Sequence, residues 1–274
     1  MGRSVIVLVA VAAALAAPSS LAQVVLGRSV FRAASLPSST VRAFAVTCPA
    51  GYVGVSAGVS RPAPGASLLS LRPSGLSGYI FRFGNPVANT DRQVKVVVAC
   101  RRFSSKLSTR LKVTPLQTRV KVPAGELAVT GIVCPPSTGP AGWGFDLPGA
   151  AGRLSVRKAS MHLRGFSFSL RNSGPKARSV TLYATCLTAL RPAGTFRERL
   201  HVRITTFRVP LQAGSQRVVR NCPAGWVSLA AGYALRSPLT TIDGAAAIGQ
   251  GGRWWIASTS EGRLAADLQL VCGR

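Results

Sequence analysis

Cys222-Pro223-Ala224-Gly225-Trp226-Val227-Ser228-Leu229-Ala230-Ala231-Gly232-Tyr233 lies over Cys48-Pro49-Ala50-Gly51-Tyr52-Val53-Gly54-Val55-Ser56-Ala57-Gly58-Val59, residue class by residue class. Each stretch opens on a cysteine and a Pro-Ala-Gly turn, then runs into a short strand of small and β-branched residues. A third Cys-Pro stands between them, at Cys134-Pro135-Pro136. It is followed by Pro140-Ala141-Gly142 and Trp143, which reads as a remodelled turn and a lost Gly-rich strand.

The six cysteines turn this likeness into a period. Cys48 to Cys100 is 52 residues, Cys134 to Cys186 is 52, and Cys222 to Cys272 is 50. First cysteines lie 86 and 88 residues apart, second cysteines 86 and 86. The chain is therefore three copies of a unit of about 86 residues. A proline precedes each first cysteine by eleven or twelve residues, at Pro37, Pro123 and Pro210. The second cysteine of each pair ends an alternating strand: Val94, Val96 and Val98 before Cys100; Val180, Leu182 and Ala184 before Cys186; Ala266, Leu268 and Leu270 before Cys272. Residues two apart share a face, so each second cysteine points inward with the apolar set. The expected pairs are Cys48–Cys100, Cys134–Cys186 and Cys222–Cys272. Each closes a loop whose chain-entropy effect is about 4 kcal/mol.

Scarce Glu and Lys, abundant Val, Ser, Thr and Gly, and 18 prolines favour strands over helices. The expected fold is all-β. Three tandem small antiparallel β-sandwich (Ig-like) modules, each with one disulfide, are the first expectation. A single three-fold β-prism-like domain is the alternative. The domain boundaries read as a signal peptide at 1–22 and β modules at 23–104, 105–192 and 193–274. Met1-Gly2-Arg3, the apolar run Val5 to Ala17, and Ser20-Leu21-Ala22 form the three parts of an export signal, with cleavage expected after Ala22. Later segments fall short of a membrane helix, so no transmembrane segment is expected in the mature chain. An even cysteine number in an exported chain fits an oxidising compartment. The localisation expected is secreted, extracellular or cell surface, and periplasmic if the source has an outer membrane.

The Cys-Pro-x-Gly corner, the Gly-rich strand after it and the closing alternating strand resemble a loose group of exported bacterial repeat modules of unassigned role. Cys222-Pro223-Ala224-Gly225-Trp226 and the Cys272 strand carry the resemblance best. The chain also looks faintly like the vitelline membrane outer layer protein family, which has three-fold repeats with Cys-Pro-x-Gly turns of shorter period. These resemblances imply a surface or extracellular module, and carry no catalytic residue onto this sequence.

Thirty-four Lys and Arg stand against 7 Asp and Glu, a formal charge of +27. Such a balance attracts polyanions. It also follows from the Ala, Gly, Pro and Arg bias of a GC-rich genome. Catalytic constellations are thin. His162 and His201 are the two histidines, neither beside an acid in sequence. The seven acids, Asp91, Glu126, Asp146, Glu198, Asp243, Glu261 and Asp267, show no pair that recurs between copies. Asp91 and Asp243 read as turn residues. A Gly-x-Ser-x-Gly elbow and a Gly-x-x-x-x-Gly-Lys loop are absent from the sequence, and the cysteines lack close metal-ligand spacing. No catalytic residue, metal site or cofactor is expected.

Two features could carry binding. Arg110, Lys112, Arg119, Lys121, Arg199, Arg203 and Arg208 alternate with apolar residues on matching strands of copies two and three, and form a candidate polyanion-binding stripe. A soluble edge strand defended by charge is the plainer reading. Trp254 and Trp255, beside Arg253, are candidate glycan-stacking residues, with Trp143 and Trp226 assigned to the core. The function expected is a non-enzymatic cell-envelope or extracellular binding protein whose basic face contacts anionic polymers or glycans, with nucleic acid ranked behind them. A purely structural disulfide-stabilised spacer comes second, and a secreted hydrolase last.

Overall fold

Runs of β-branched and aromatic residues bounded by Gly and Pro form strands along the whole described chain. The computed structural model describes residues 24–104, 110–148, 153–190, 197–198, 201–259 and 264–274, and these residues contain no helix. The export signal expected at 1–22 lies outside them. The first repeat supplies β1 (Val24–Leu36), β2 (Thr40–Thr47), β3 (Val53–Arg61), β4 (Ser67–Ser74), β5 (Gly78–Asn85) and β6 (Arg92–Ser104). The second supplies β7 (Arg110–Val122), β8 (Leu127–Val133), β9 (Gly139–Asp146), β10 (Leu154–His162), β11 (Gly165–Asn172) and β12 (Arg178–Leu190). The third supplies β13 (Arg197–Glu198), β14 (Val202–Leu211), β15 (Gly214–Asn221), β16 (Val227–Leu235), β17 (Thr240–Ile248), β18 (Gly251–Ser258) and β19 (Leu264–Gly273).

Pairing follows one rule in all three repeats. The long first strand pairs with the last and the last with the third, giving β1-β6-β3, β7-β12-β9 and β14-β19-β16. The other three strands give β2-β5-β4, β8-β11-β10 and β15-β18-β17. Each repeat is thus split between two units, and neighbouring repeats share sheets. β4 joins β9 through Ser70 opposite Asp146 and Leu71 opposite Phe145. β10 joins β16 through Lys158 opposite Ala234 and Ala159 opposite Tyr233. The outcome is a six-stranded, a seven-stranded and two three-stranded sheets in a propeller-like ring. The strands do not form three self-contained Ig-like sandwiches. An 86-residue repeat leaves its third and fourth strands with open edges, and the next repeat covers them.

The ring closes where β17 of the last repeat lies along β3 of the first. Three glycines, each ten residues after a first cysteine, set this spacing. A Cβ on Gly58 would fall 1.8 Å from the Ala245 carbonyl oxygen, on Gly144 2.0 Å from that of Leu71, and on Gly232 2.7 Å from that of Ala159. Residues without a side chain let the backbones meet there. The middle repeat therefore keeps its glycine and its strand. Its turn is kept too: Ser137 takes the left-handed backbone (φ 64°) that Gly51 and Gly225 take (φ 78° and 76°). In each turn an amide donates to the proline carbonyl three residues back, from Tyr52, Thr138 and Trp226. The sequence change at Pro136 to Gly142 is substitution without remodelling.

The three disulfides pair as expected, with Cα–Cα distances of 5.7, 5.8 and 5.8 Å. Each ties the end of a second strand to the last strand of the same repeat. Those strands belong to different sheets, so every disulfide staples two neighbouring sheets of the ring. The β3, β9 and β16 strands are buried on both faces and form the centre of the core. Asn85 and Asn172 occupy equivalent buried positions and fix the loops at one end. The Asn85 Nδ2 donates to the carbonyls of Leu36, Pro37 and Thr90; that of Asn172 donates to Val122, Pro123 and Lys176. These polar plugs satisfy carbonyls that the strand ladders leave over.

Candidate functional site

The predicted cations take up separate positions. Lys112, Arg119 and Lys121 are exposed on β7, which among the described residues pairs only with β12. Arg203 and Arg208 are exposed on β14, the outer strand of the six-stranded sheet. Arg119 and Arg208 are equivalent in register, opposite Thr181 and Asp267. The Arg110 backbone pairs with Leu190, and its side chain, like the whole of Arg199, lies outside the described residues. The five described cations therefore do not merge into one stripe. They decorate the edges of two different sheets, because equivalent strands of successive repeats are carried around the ring rather than stacked.

The Trp pair divides by face. Trp254 is fully buried, its indole Nε1 donates to the Gly232 carbonyl at 2.9 Å, and its ring meets Phe207 edge-on at 5.4 Å. It has no surface with which to stack on a sugar, so that expectation is corrected. Trp143 is core as expected, donating to the Ala231 carbonyl at 2.9 Å. Trp226 is half-buried under the Arg274 guanidinium, 4.9 Å from its ring centre, as Tyr52 lies under Arg102 at 4.8 Å.

Trp255 points to the other face of β18, and it stands among cations. Arg253 lies over its ring at 5.7 Å. On β15, Arg217 is directly opposite Trp255, and the exposed Val219 is opposite Arg253. Period 2 thus places Arg217, Val219, Arg253 and Trp255 on one face of the three-stranded sheet. Burial, and after it the neighbouring Arg217 charge, push the Arg253 guanidinium down from its ordinary value. Its Nε is buried without a hydrogen-bond partner. A half-exposed indole flanked by two cations can stack on a flat ring while the guanidiniums take its anionic substituent.

A second basic feature lies on the first repeat and was not singled out by strand alternation. A groove of about 560 Å³ runs between Ala33, the Arg61-Pro62-Ala63-Pro64 segment and the start of β6, with Arg61, Arg92 and Lys95 in its lining. The Lys95 ammonium sits 5.0 Å from the exposed Phe31 ring. Asp91, the acid in this groove, accepts from the Ser38 amide at 3.0 Å. The three cations come from two strands, β3 and β6, so their meeting has no signature in any one stretch of sequence.

The side chains of Glu198 and Glu261 lie outside the described residues, and the other acids are scattered. Asp146 pairs with Arg82 at 2.9 Å and Asp267 with Arg236 at 2.6 Å. Asp243 is an extra residue in β17 rather than a turn, because the register with β18 slips between Ile242 and Gly244. His162 and His201 are both exposed. Among the described residues no group of three His, Cys, Asp or Glu is arranged to hold a metal ion, and no helix is long and apolar enough to cross a membrane. Comparison with the models of known protein families and with curated proteins found no match to this chain.

Proposed function

We propose that this is an exported, non-enzymatic protein whose outer surface binds anionic polymers or glycans of a cell envelope or extracellular matrix. The observation that carries the reading is Trp255 set beside Arg253 and opposite Arg217 on the open face of β15-β18-β17. A sugar ring stacked on the indole would bring a carboxylate, sulfate or phosphate within reach of both guanidiniums. The groove with Arg61, Arg92 and Lys95 would hold a second anionic group of the same chain, and the +27 charge would steer it in. Three disulfides suit an oxidising compartment. We read the ring as one merged three-fold unit of the β-prism-like kind; the identical strand pairing in the three repeats supports this.

Binding of the full chain to heparin and to teichoic acid, read at two salt concentrations with neutral dextran as control, tests the function. Affinity should fall about tenfold or more from 50 to 200 mM salt, and dextran should bind far more weakly. Equal binding of dextran, or no binding of either polyanion at low salt, would favour the spacer reading.

A further inference from the structure

The third strands of all three repeats meet the fourth strands of their neighbours around one axis, and at one end of it they leave a pocket of about 250 Å³. Its walls come in three-fold sets. Val59, Phe145 and Tyr233 each lie eleven residues after a first cysteine, and all three line it. Leu68, Val156 and Ile242 line it from β4, β10 and β17. Directly after each of these the strand carries one extra residue, shown by register slips at Leu68/Ser70, Val156/Lys158 and Ile242/Gly244. Such bulges re-aim side chains and recur beside binding sites.

The three bulge residues break the symmetry: they are Leu69, Arg157 and Asp243. Leu69 is buried and seals its side. The Arg157 guanidinium donates to the carbonyls of Thr240 at 2.7 Å and of Ser237, so it is held across the loop leading into β17. Asp243 has only a weak hydrogen bond, from the Thr241 hydroxyl at 3.5 Å. Among the described residues no salt bridge neutralises it, in a chain with 34 cations to choose from. Asp243 itself is exposed at the rim, and partial desolvation of its carboxyl there raises it above the ordinary value. A carboxylate left unpaired at the mouth of an aromatic-walled pocket is a seat for a cation.

We propose that the axial pocket binds a small ring compound bearing a primary amine, with the ammonium on Asp243 and the ring against Phe145 and Tyr233. The volume would hold about eight water molecules, which suits one amino-sugar or aromatic-amine unit and not a polymer. This site is separate from the outer basic face, and either can fail without the other.

The test uses the full chain with glucosamine, tyramine and, as amine-free partners, glucose and 4-ethylphenol, followed by ligand-observed NMR and Trp fluorescence. Each amine is expected to bind at least tenfold more tightly than its partner. Asp243→Asn should bring that ratio close to one. Ser67→Trp, at an exposed residue of the rim, should block all four probes while near-UV circular dichroism stays native. Absence of saturable binding by either amine, or an unchanged amine preference in Asp243→Asn, would overturn the proposal. So would binding that survives in a natively folded Ser67→Trp.

Discussion

The Arg101 guanidinium donates to the backbone carbonyl of Ser228, 127 residues further along the chain, with Nε at 2.9 Å. Arg101 is completely buried and reaches no carboxylate: its other contacts are the carbonyls of Arg28, Cys100 and Gly249 and the Ser228 hydroxyl. Burial pushes it down to about 10, so it remains charged at neutral pH. It joins β1 and β6 of the first repeat to β16 and the β17–β18 turn of the last. At the equivalent positions after Cys186 and Cys272 stand Leu187 and Gly273.

Replacing this clasp should loosen the whole ring. Arg101→Met would leave several buried carbonyls without donors, and about 3 kcal/mol of stability should be lost in guanidinium chloride unfolding. Because the sheets are shared, far- and near-ultraviolet signals should still move in a single transition. Three separate transitions would show that the repeats fold alone.

The three contact glycines provide a sharper test of the shared edges. Gly58→Ala and Gly144→Ala push a methyl group into a carbonyl oxygen and should cost about 3–5 kcal/mol each. Gly51→Ala meets open space and suffers only its left-handed backbone, about 1–2 kcal/mol. A larger loss at Gly51 than at Gly58, by melting temperature, would contradict the close approach of β3 to β17.

Removing a disulfide should weaken the join between two sheets. Cys48→Ala with Cys100→Ala should cost about 2–5 kcal/mol. Hydrogen exchange should then rise on both sides of that junction, in β2 and β5 as well as in β6. Exchange that rises in β6 while β2 and β5 stay unchanged would argue against the staple.

On the outer surface, Trp255→Ala should weaken polyanion binding roughly tenfold at all salt concentrations, since stacking is not screened. Arg217→Ala with Arg253→Ala should instead flatten the salt slope by about 2. Binding untouched by either change would move the site to the Arg61 groove or remove it altogether.

The axial pocket should respond to pH. Asp243 holds its proton more tightly in the folded chain than in the unfolded one. Its ionisation therefore lowers stability as pH rises from about 3.9 through the raised native value. Asp243→Asn should be neutral or stabilising at pH 7, and amine affinity in the unmutated protein should fall as pH drops through that same window. Loss of stability in Asp243→Asn at pH 7 would contradict an unpaired carboxylate.

The cysteine ladder made the repeats, the disulfide partners and the all-β class legible, because covalent spacing and period-2 alternation are local properties. Edge sharing was not legible: that the open edge of β3 lies along β17 is decided by which edges meet in space. Alternation placed one of the Trp254–Trp255 pair outside but could not say which, since both neighbours of β18 were unknown. Arg101 follows the inward Cys100, so period 2 alone puts it on the outer face of β6, yet in the structure it is buried. Gly144 was visible ten residues after Cys134, and counting from the cysteine rather than matching residue classes would have found it. The basic groove and the axial pocket gather residues from distant strands and leave no trace in any single segment.

The closure of β17 on β3 also fixes a number. Each repeat hands an open edge to the next, and three turns of that exchange bring the last edge back to the first. A gene that lost or duplicated one unit would encode a chain whose ends no longer meet, with bare strand edges at the seam inviting other copies. Evolution can vary the loops and surface of this protein freely, but its copy count is locked by geometry.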